Sequence, residues 1–268
     1  MKTIIYYFTG TGNSFAAAKK IAAVLEDCEL VPIGSLMESP GDVIPAADRV
    51  GIVCPVYFTG LPAMVAAFAG RLRLAGSGYL FAVVTFGGGL GAGSTLRQLD
   101  GIFRSHLSRG LDAGFRVKMP GNYILMYEPP AGEERDAVLA AADSEIARIA
   151  DTVKQSRKHE FSCSLSERLA HPLAYTWFVS RVHTEDRKFN VTDRCTSCGI
   201  CAAVCPAENI ELVEGKPVWK HHCEFCCGCI HLCPVQAIQA GAKTEKRRRY
   251  RNPDVTVAEL RIGEENGL

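Results

Sequence analysis

The chain has 268 residues, 47% of them apolar, and a formal net charge of +1. That is long enough for two modest domains with real cores and too neutral for a surface built as a whole around nucleic acid. No apolar run reaches the length of a membrane span. Met1-Lys2 leads into a short strand-like run rather than a signal-peptide core, so the sequence predicts a cytoplasmic protein.

Thr3–Phe8 is β-branched and aromatic. Thr9-Gly10-Thr11-Gly12-Asn13-Ser14 follows, then Phe15 to Leu25, with Phe15, Ala18, Ala22 and Leu25 on one helical face. The order is strand, hydroxyl- and glycine-rich loop, helix. A helix N-terminus offers N–H groups and a positive dipole end, which favour a phosphate. Thr9, Thr11 and Ser14 add hydroxyls, and Gly10 and Gly12 let the backbone close in. No lysine completes a Walker pattern, and G-x-G-x-x-G does not fit. An uncharged cradle of this kind suits a single terminal phosphate, such as that of FMN. The alternative is an ordinary capped βα turn.

Arg49–Cys54 is the next apolar strand and runs into Pro55-Val56-Tyr57-Phe58-Thr59-Gly60-Leu61-Pro62. Tyr79–Thr85 is another, entering Phe86-Gly87-Gly88-Gly89-Leu90-Gly91-Ala92-Gly93. Phe115–Val117 reads as a fifth strand and meets Met119-Pro120-Gly121-Asn122-Tyr123. Glu133 to Lys158 is a helical stretch with Leu139, Ala142, Ile146, Ile149 and Val153 on one face. Five strands alternating with helices predict a doubly wound α/β sheet of order 2-1-3-4-5. Ligands of such sheets bind beyond the carboxyl ends of the strands. Residues 55–60 offer aromatics to stack on a flavin ring, and residues 86–89 offer bare backbone groups for its polar edge. Tyr57 and Phe58 also suit a core, and the glycines a hinge.

Ser164 to Val182 places Leu165, Leu169, Leu173 and Trp177 at four-residue steps with Pro172 inside. This predicts a kinked helix bridging two domains, its apolar face packed on one or both.

Nine of the twelve cysteines lie between Cys195 and Cys233. The first run is Cys195-Thr-Ser-Cys198-Gly-Ile-Cys201-Ala-Ala-Val-Cys205-Pro206, the second Cys223-Glu-Phe-Cys226-Cys227-Gly-Cys229-Ile-His-Leu-Cys233-Pro234. Both read C-x2-C-x2-C-x3-C-P at a constant offset of 28, which Ile210 and Ile238 share. This is an internal duplication, and its spacing is that of the bacterial two-cluster ferredoxin run. By that pattern Cys195, Cys198, Cys201 and Cys233 hold one [4Fe–4S] cluster. Cys223, Cys226, Cys229 and Cys205 hold the other. Structural zinc pairs two C-x2-C knuckles across a longer spacer, which these triplets do not match. Cys227 stands where the first run has Gly199 and reads as a filler or tuning group. Residues 209–213 and 216–219 alternate around Glu214-Gly215 and predict a hairpin.

Residues 186–242 resemble a bacterial 2[4Fe–4S] ferredoxin, a small α+β domain. Phe8-Thr9-Gly10-Thr11-Gly12-Asn13-Ser14, Cys54-Pro55-Val56-Tyr57 and Pro120-Gly121-Asn122-Tyr123 precede it. Together they resemble the EFR-type flavodoxin–ferredoxin fusion family of anaerobic microbes. The resemblance implies FMN, two clusters, electron transfer and a redox partner protein. The domains expected are an FMN domain at 1–160, a linker helix at 161–185, the ferredoxin at 186–242 and a basic tail at 243–268.

Stand-alone flavodoxins are commonly acidic, whereas residues 1–160 carry sixteen Lys/Arg and sixteen Asp/Glu. Docking through an acidic face is therefore not expected. Lys246-Arg247-Arg248-Arg249-Tyr250-Arg251 reads as a solvated or docking segment and not as a nucleic-acid patch. A flavin-dependent reductase of a small molecule is the second reading, with Tyr57, Tyr123 and His106 as proton-donor candidates by type. A redox sensor is the third. No NAD(P)H site is evident.

Overall fold

The computed structural model describes residues 1–74 and 78–262. Five parallel strands make one sheet: β1 (Thr3–Tyr7), β2 (Cys28–Pro32), β3 (Arg49–Pro55), β4 (Tyr79–Phe86) and β5 (Ala113–Lys118), in the order β2-β1-β3-β4-β5. The register is regular, Tyr6 facing Ile52 and Ile52 facing Ala82. This is the flavodoxin-like, doubly wound order expected. β2 has no counterpart among the spans read from sequence. It is an edge strand whose residues are at best half-buried, so it lacks the continuous apolar run of the inner strands.

The sheet is covered on both faces, and strand alternation divides its side chains between them. Ile5, Tyr7, Val53, Phe81 and Val83 pack beneath α1 (Asn13–Ala22) and α4 (Gly132–Lys154). Ile4, Tyr6, Phe8, Ile52 and Val84 pack beneath α2 (Ala63–Arg71) and α3 (Ala92–Leu107). α4 buries Ala142, Ile146, Ile149 and Val153, the face its periodicity marked. Gly101, mid-way along α3, is exposed and has nothing within 4 Å of where a Cβ would stand. Gly101→Ala is therefore expected to stabilise the protein by about 0.8 kcal/mol, raising Tm by ~2 °C, which thermal unfolding will measure.

α5 (Leu165–Val179) begins in a capping box built by Ser164 and Glu167 and contains Pro172. Its predicted apolar face is largely uncovered: Leu165, Leu169, Leu173 and Trp177 are all exposed, although one side of Trp177 meets Phe58. The helix instead turns Phe178 inward. Its Tyr175 ring lies 2.3 Å from where a Cβ on Gly60 would stand. Periodicity identified an apolar stripe, but α5 carries apolar residues on two sides, and the other one is buried.

The duplicated segment folds as two matching halves. α6 (Ile200–Ala203) and α7 (Gly228–His231) stand at the offset of the repeat. So do the left-handed residues Ser197 and Phe225, Gly199 and Cys227, and Glu208 and Gln236. β6 (Phe189–Val191) pairs with β9 (Ile238–Ala240), while β7 (Ile210–Val213) pairs with β8 (Lys216–Trp219). The β7–β8 turn has Glu214 at φ 49° and Gly215 at φ 75°, the pair of positive φ values that a two-residue type I′ hairpin demands.

The basic segment is not free. α8 (Ala242–Glu245) precedes it, and the chain then runs back over the sheet half. Arg248 pairs with Glu128 at 3.3 Å, and Lys20 with Asp254 at 2.6 Å. Lys19 hydrogen-bonds Glu259 and holds that carboxyl down at about 2. Val255 and Leu260 join the α1–α4 core, and the Ile262 amide donates to the Ala203 carbonyl at 2.8 Å. Residues 263–268 of the expected tail lie outside the described residues.

Candidate functional site

A cavity of about 280 Å³ opens at the carboxyl ends of the strands. Its floor is the β1–α1 loop, which contributes Thr9, Gly10, Thr11, Asn13 and Ser14. The first-turn N–H groups of α1 lie at this end, with no acidic residue in that turn. Pro55 to Thr59 form a second wall and Phe86 to Gly88 a third. Of the loop residues marked in the sequence, Gly12, Gly60 and Gly89 do not line it. Met119, Pro120, Asn122 and Tyr123 from beyond β5, and Met126 and Tyr127 just after them, close another side. No charged side chain lines the cavity among the described residues.

The polar groups are held by one another. Ser14 Oγ and Thr85 Oγ1 are hydrogen-bonded at 2.8 Å. Thr9 Oγ1 accepts from the Gly12 amide at 3.1 Å, and Asn122 Nδ2 donates to Thr11 Oγ1. Asn13 is committed to the protein: Nδ2 donates to the Pro120 carbonyl, and Oδ1 accepts from the Tyr250 phenol at 2.7 Å and from Asn252 Nδ2 at 3.1 Å. Thr59 lines the cavity, and its Oγ1 is buried with no hydrogen-bond partner. An orphaned buried hydroxyl of this kind calls for a partner.

Thr59 is placed by a strained turn. Tyr57 and Gly60 exchange backbone hydrogen bonds at 2.8 Å each way, with Phe58 at φ 44° and Thr59 at φ 69°. Positive φ is costly for a β-branched residue. The turn is pinned through the Thr59 carbonyl, which accepts from Ser94 Oγ at 2.5 Å and faces His171 Nδ1 at 2.9 Å. It sends Phe58 into an aromatic cluster, stacked on Phe178 at 4.8 Å and edge-on to Tyr123 at 5.7 Å. Burial pushes the Tyr57 phenol well above its ordinary pKa and Tyr123 up to about 12. His106 does not reach the cavity: its ring nitrogens lie against the Ile102 and Leu72 carbonyls at the far end of α3.

The third wall depends on a residue that sequence patterning assigned only to a helix. The Glu167 carboxylate, 6% exposed, accepts from the Gly91 amide at 3.1 Å, the Gly93 amide at 2.8 Å and the Ser164 amide at 3.0 Å. It thus caps two helices, α3 and α5, at once. Burial raises its pKa, but the donors from Ser164, Gly93 and Gly91 outweigh that and leave it below its ordinary value. A depressed folded pKa means stability that is present above the unfolded value and lost as pH falls. Glu167→Gln is expected to cost about 2 kcal/mol at pH 7. The difference from wild type should shrink below pH ~4.5, as urea titrations across pH will show.

The last wall is the second cysteine run. Phe225, Cys226 and Cys227 line the same cavity as the β1–α1 loop. The two backbones touch: a Cβ on Gly10 would stand 2.5 Å from the Cys226 carbonyl oxygen, and one on Gly228 2.9 Å from that of Gly10. Glu224, 5% exposed, accepts from the Met64 amide at 3.0 Å and so anchors this run to the start of α2. His231 is fixed in a single tautomer. Its Nδ1 accepts from the Tyr250 amide at 3.0 Å, so Nε2 carries the proton donated to the Asn122 carbonyl at 2.8 Å.

The cysteines surround two small voids. Cys195, Cys198, Cys201 and Cys233 line one. Cys205, Cys223, Cys226 and Cys229 line the other, with Cys227 beside them. Each set takes three cysteines from one run and the fourth from the other. Among the described residues no three His, Cys, Asp or Glu side chains close on a single-ion site. The Asn209 amide donates to Cys205 Sγ at 3.4 Å and the Ala237 amide to Cys233 Sγ at 3.2 Å, a pair that again repeats at the offset of 28. Such N–H···S bonds tune a cluster. Burial raises the thiols, Cys201 to about 11, Cys226 to about 12 and Cys223 further. Thiols so placed ionise beside a cation such as cluster iron. In the first set Cys198 is exposed and Cys201 buried; in the second Cys223 and Cys229 are buried and none is exposed.

The model of the 4Fe-4S binding domain family matches residues 191–211. A ferredoxin of Pyrobaculum islandicum is 41% identical over 54 residues, which is 19% of this chain. The match covers 50% of that ferredoxin, so the chain spans about half the length of the curated relative it matches. Solved structures are similar at lower identity. A flavodoxin of Streptococcus pneumonia TIGR4 is 16% identical, covering 55% of this chain and 98% of that one, at a TM-score of 0.31. An NAD(P)H:quinone oxidoreductase of Methanothermobacter marburgensis is 13% identical, covering 60% and 98%, at 0.34. The C-terminal segment that contains residues 191–211 is thus an iron–sulfur, ferredoxin-type domain, and the sheet domain is flavodoxin-like on its own strand order.

Proposed function

We propose that this chain is an electron-transfer iron–sulfur flavoprotein, with FMN in the cavity and a [4Fe–4S] cluster in each cysteine-lined void. The observation that carries the reading is the shared wall: Cys226, a ligand of the second-run cluster, lines the cavity whose floor is the phosphate-type loop. FMN exchanges one or two electrons and each cluster one.

The residues have divided roles in this reading. The α1 N-terminus with Thr9, Thr11 and Ser14 holds the phosphate, and no cation is required. Thr59, Tyr57, Phe58 and Tyr123 would flank the isoalloxazine, the three aromatics excluding water. Cys195, Cys198, Cys201 and Cys233 hold the outer cluster, exposed at Cys198 toward a redox partner protein. Cys205, Cys223, Cys226 and Cys229 hold the inner one, beside the flavin. Pro55, Val56 and Gly87–Gly88 complete the cradle, while Gly12, Gly60 and Gly89 shape its loops.

Anaerobic purification with iron, sulfide and flavin quantitation tests this. About eight iron atoms and one FMN per chain are expected. A protein that holds the iron but no flavin after reconstitution with FMN would refute it.

A second reading draws on the cavity mouth. Leu90 is 53% and Met126 66% exposed there, with Tyr127 beside them, an apolar rim suited to a flat apolar acceptor. Turnover of a quinone or nitroaromatic by chemically reduced protein would support direct reduction. Inertness across such a panel leaves protein-to-protein transfer.

A further inference from the structure

Four large apolar side chains stand uncovered in a row on α5: Leu165 at 70%, Leu169 at 66%, Leu173 at 79% and Trp177 at 50% exposed. They recur every fourth residue and form one continuous ridge. The adjoining row is Ser166, Ala170 and Ala174, small residues that leave a groove beside it. The opposite side of the helix is already engaged, with Phe178 buried, Tyr175 over Gly60 and His171 on the Thr59 carbonyl. A helix apolar on both sides is one that is covered on both sides.

We propose that this face is a homodimer interface, the α5 ridge of each copy packing into the Ser166–Ala170–Ala174 groove of the other. A ridge and a matching groove within one patch are self-complementary, which is what a two-fold contact requires. Two such rows interdigitate with the helices crossing at about −50°. The area agrees. Three leucines and a tryptophan at these exposures present roughly 500 Å² per copy, about 1,000 Å² for the pair, the threshold of a specific interface. A contiguous apolar patch of that size matches the largest found on a typical monomer, and such patches are often functional.

Charge selects against a lipid surface as the occupant. Between residues 161 and 181 the exposed charges are Arg168 and Arg181 alone, because Glu167 is buried in the double cap. Arg181 is moreover drawn over the Trp177 ring at 5.3 Å. A helix lying in an anionic membrane carries a row of cations on its polar face.

The inference rests on packing and is independent of the flavin reading, although it bears on the cavity. Trp177 packs on Phe58 at 5.6 Å and Phe178 lines the cavity, so a second copy would buttress that wall.

Sedimentation equilibrium of the full chain, purified anaerobically with its iron, tests the proposal at micromolar concentration. Wild type is expected as a dimer. Leu169→Glu and Leu173→Glu, both outside the cavity lining, are expected as monomers with wild-type iron content and far-UV circular dichroism. A wild type that stays monomeric overturns the proposal, as does a dimer that survives both substitutions. A monomeric wild type that floats with phosphatidylglycerol vesicles, while Leu169→Glu does not, overturns it in favour of a lipid surface.

Discussion

Replacing Gly10 by alanine is expected to destabilise the protein by about 3 kcal/mol and to lower flavin and iron content together. In a phosphate loop a glycine is ordinarily explained by its ligand. Here it has a second constraint, from the protein. The added Cβ would stand 2.5 Å from the Cys226 carbonyl oxygen and 2.9 Å from Cys226 Cβ. Neither can swing away, since both belong to or adjoin the main chain of a run anchored by Glu224 to α2. Relief requires the cysteine run and the β1–α1 loop to part, which disturbs both sites at once. Urea unfolding with iron and flavin assays on the same preparation measures the effect. Wild-type stability and full cofactor content in Gly10→Ala would show that the two loops do not touch in solution.

Cys205→Ser is expected to leave about four iron atoms per chain and to abolish the cluster beside the cavity, although Cys205 belongs to the first run. Cys233→Ser is expected to do the reverse, removing the surface cluster and sparing the inner one. The argument is the crossed lining of the two voids, Cys233 closing the first and Cys205 the second. The two variants should differ in the flavin. With the inner cluster gone, flavin reduction through the clusters should slow by orders of magnitude. With the outer one gone, a small reductant should still reach the inner cluster. EPR of the reduced variants distinguishes them by spin–spin coupling to the flavin. If Cys205→Ser lost the surface cluster, the crossed arrangement would be wrong.

The duplication was legible because its determinants are local. Thiol spacing, the proline after each fourth cysteine and the Glu214-Gly215 turn each act within a few residues. The left-handed positions then recur at the same offset, Cys227 adopting at φ 58° the conformation that Gly199 adopts at 75°. The inner strands were legible from their unbroken apolar runs. β2 was not, because an edge strand needs burial on only part of its length. Glu167 and Glu224 carry no signal of their own in the sequence. Their work at the ends of α3 and α2 depends on contacts remote in sequence. The Gly10–Cys226 approach is of the same kind. α5 was misjudged for a different reason: a four-residue stripe marks an apolar face, but not which of two apolar faces meets the core.

The link from Asn13 to Tyr250 and Asn252 spans 237 and 239 residues. On a ribosome the sheet half has emerged long before those partners exist. Until they arrive, Asn13 lacks two of the bonds that orient it, and the Asn252 amide has not yet tied down the Thr11 carbonyl. A nascent sheet domain therefore has a cradle of incomplete shape. In the proposed reading, flavin loading is then expected among the final events of biosynthesis, after both cysteine runs have been translated and the chain that follows them has laid itself on the sheet half.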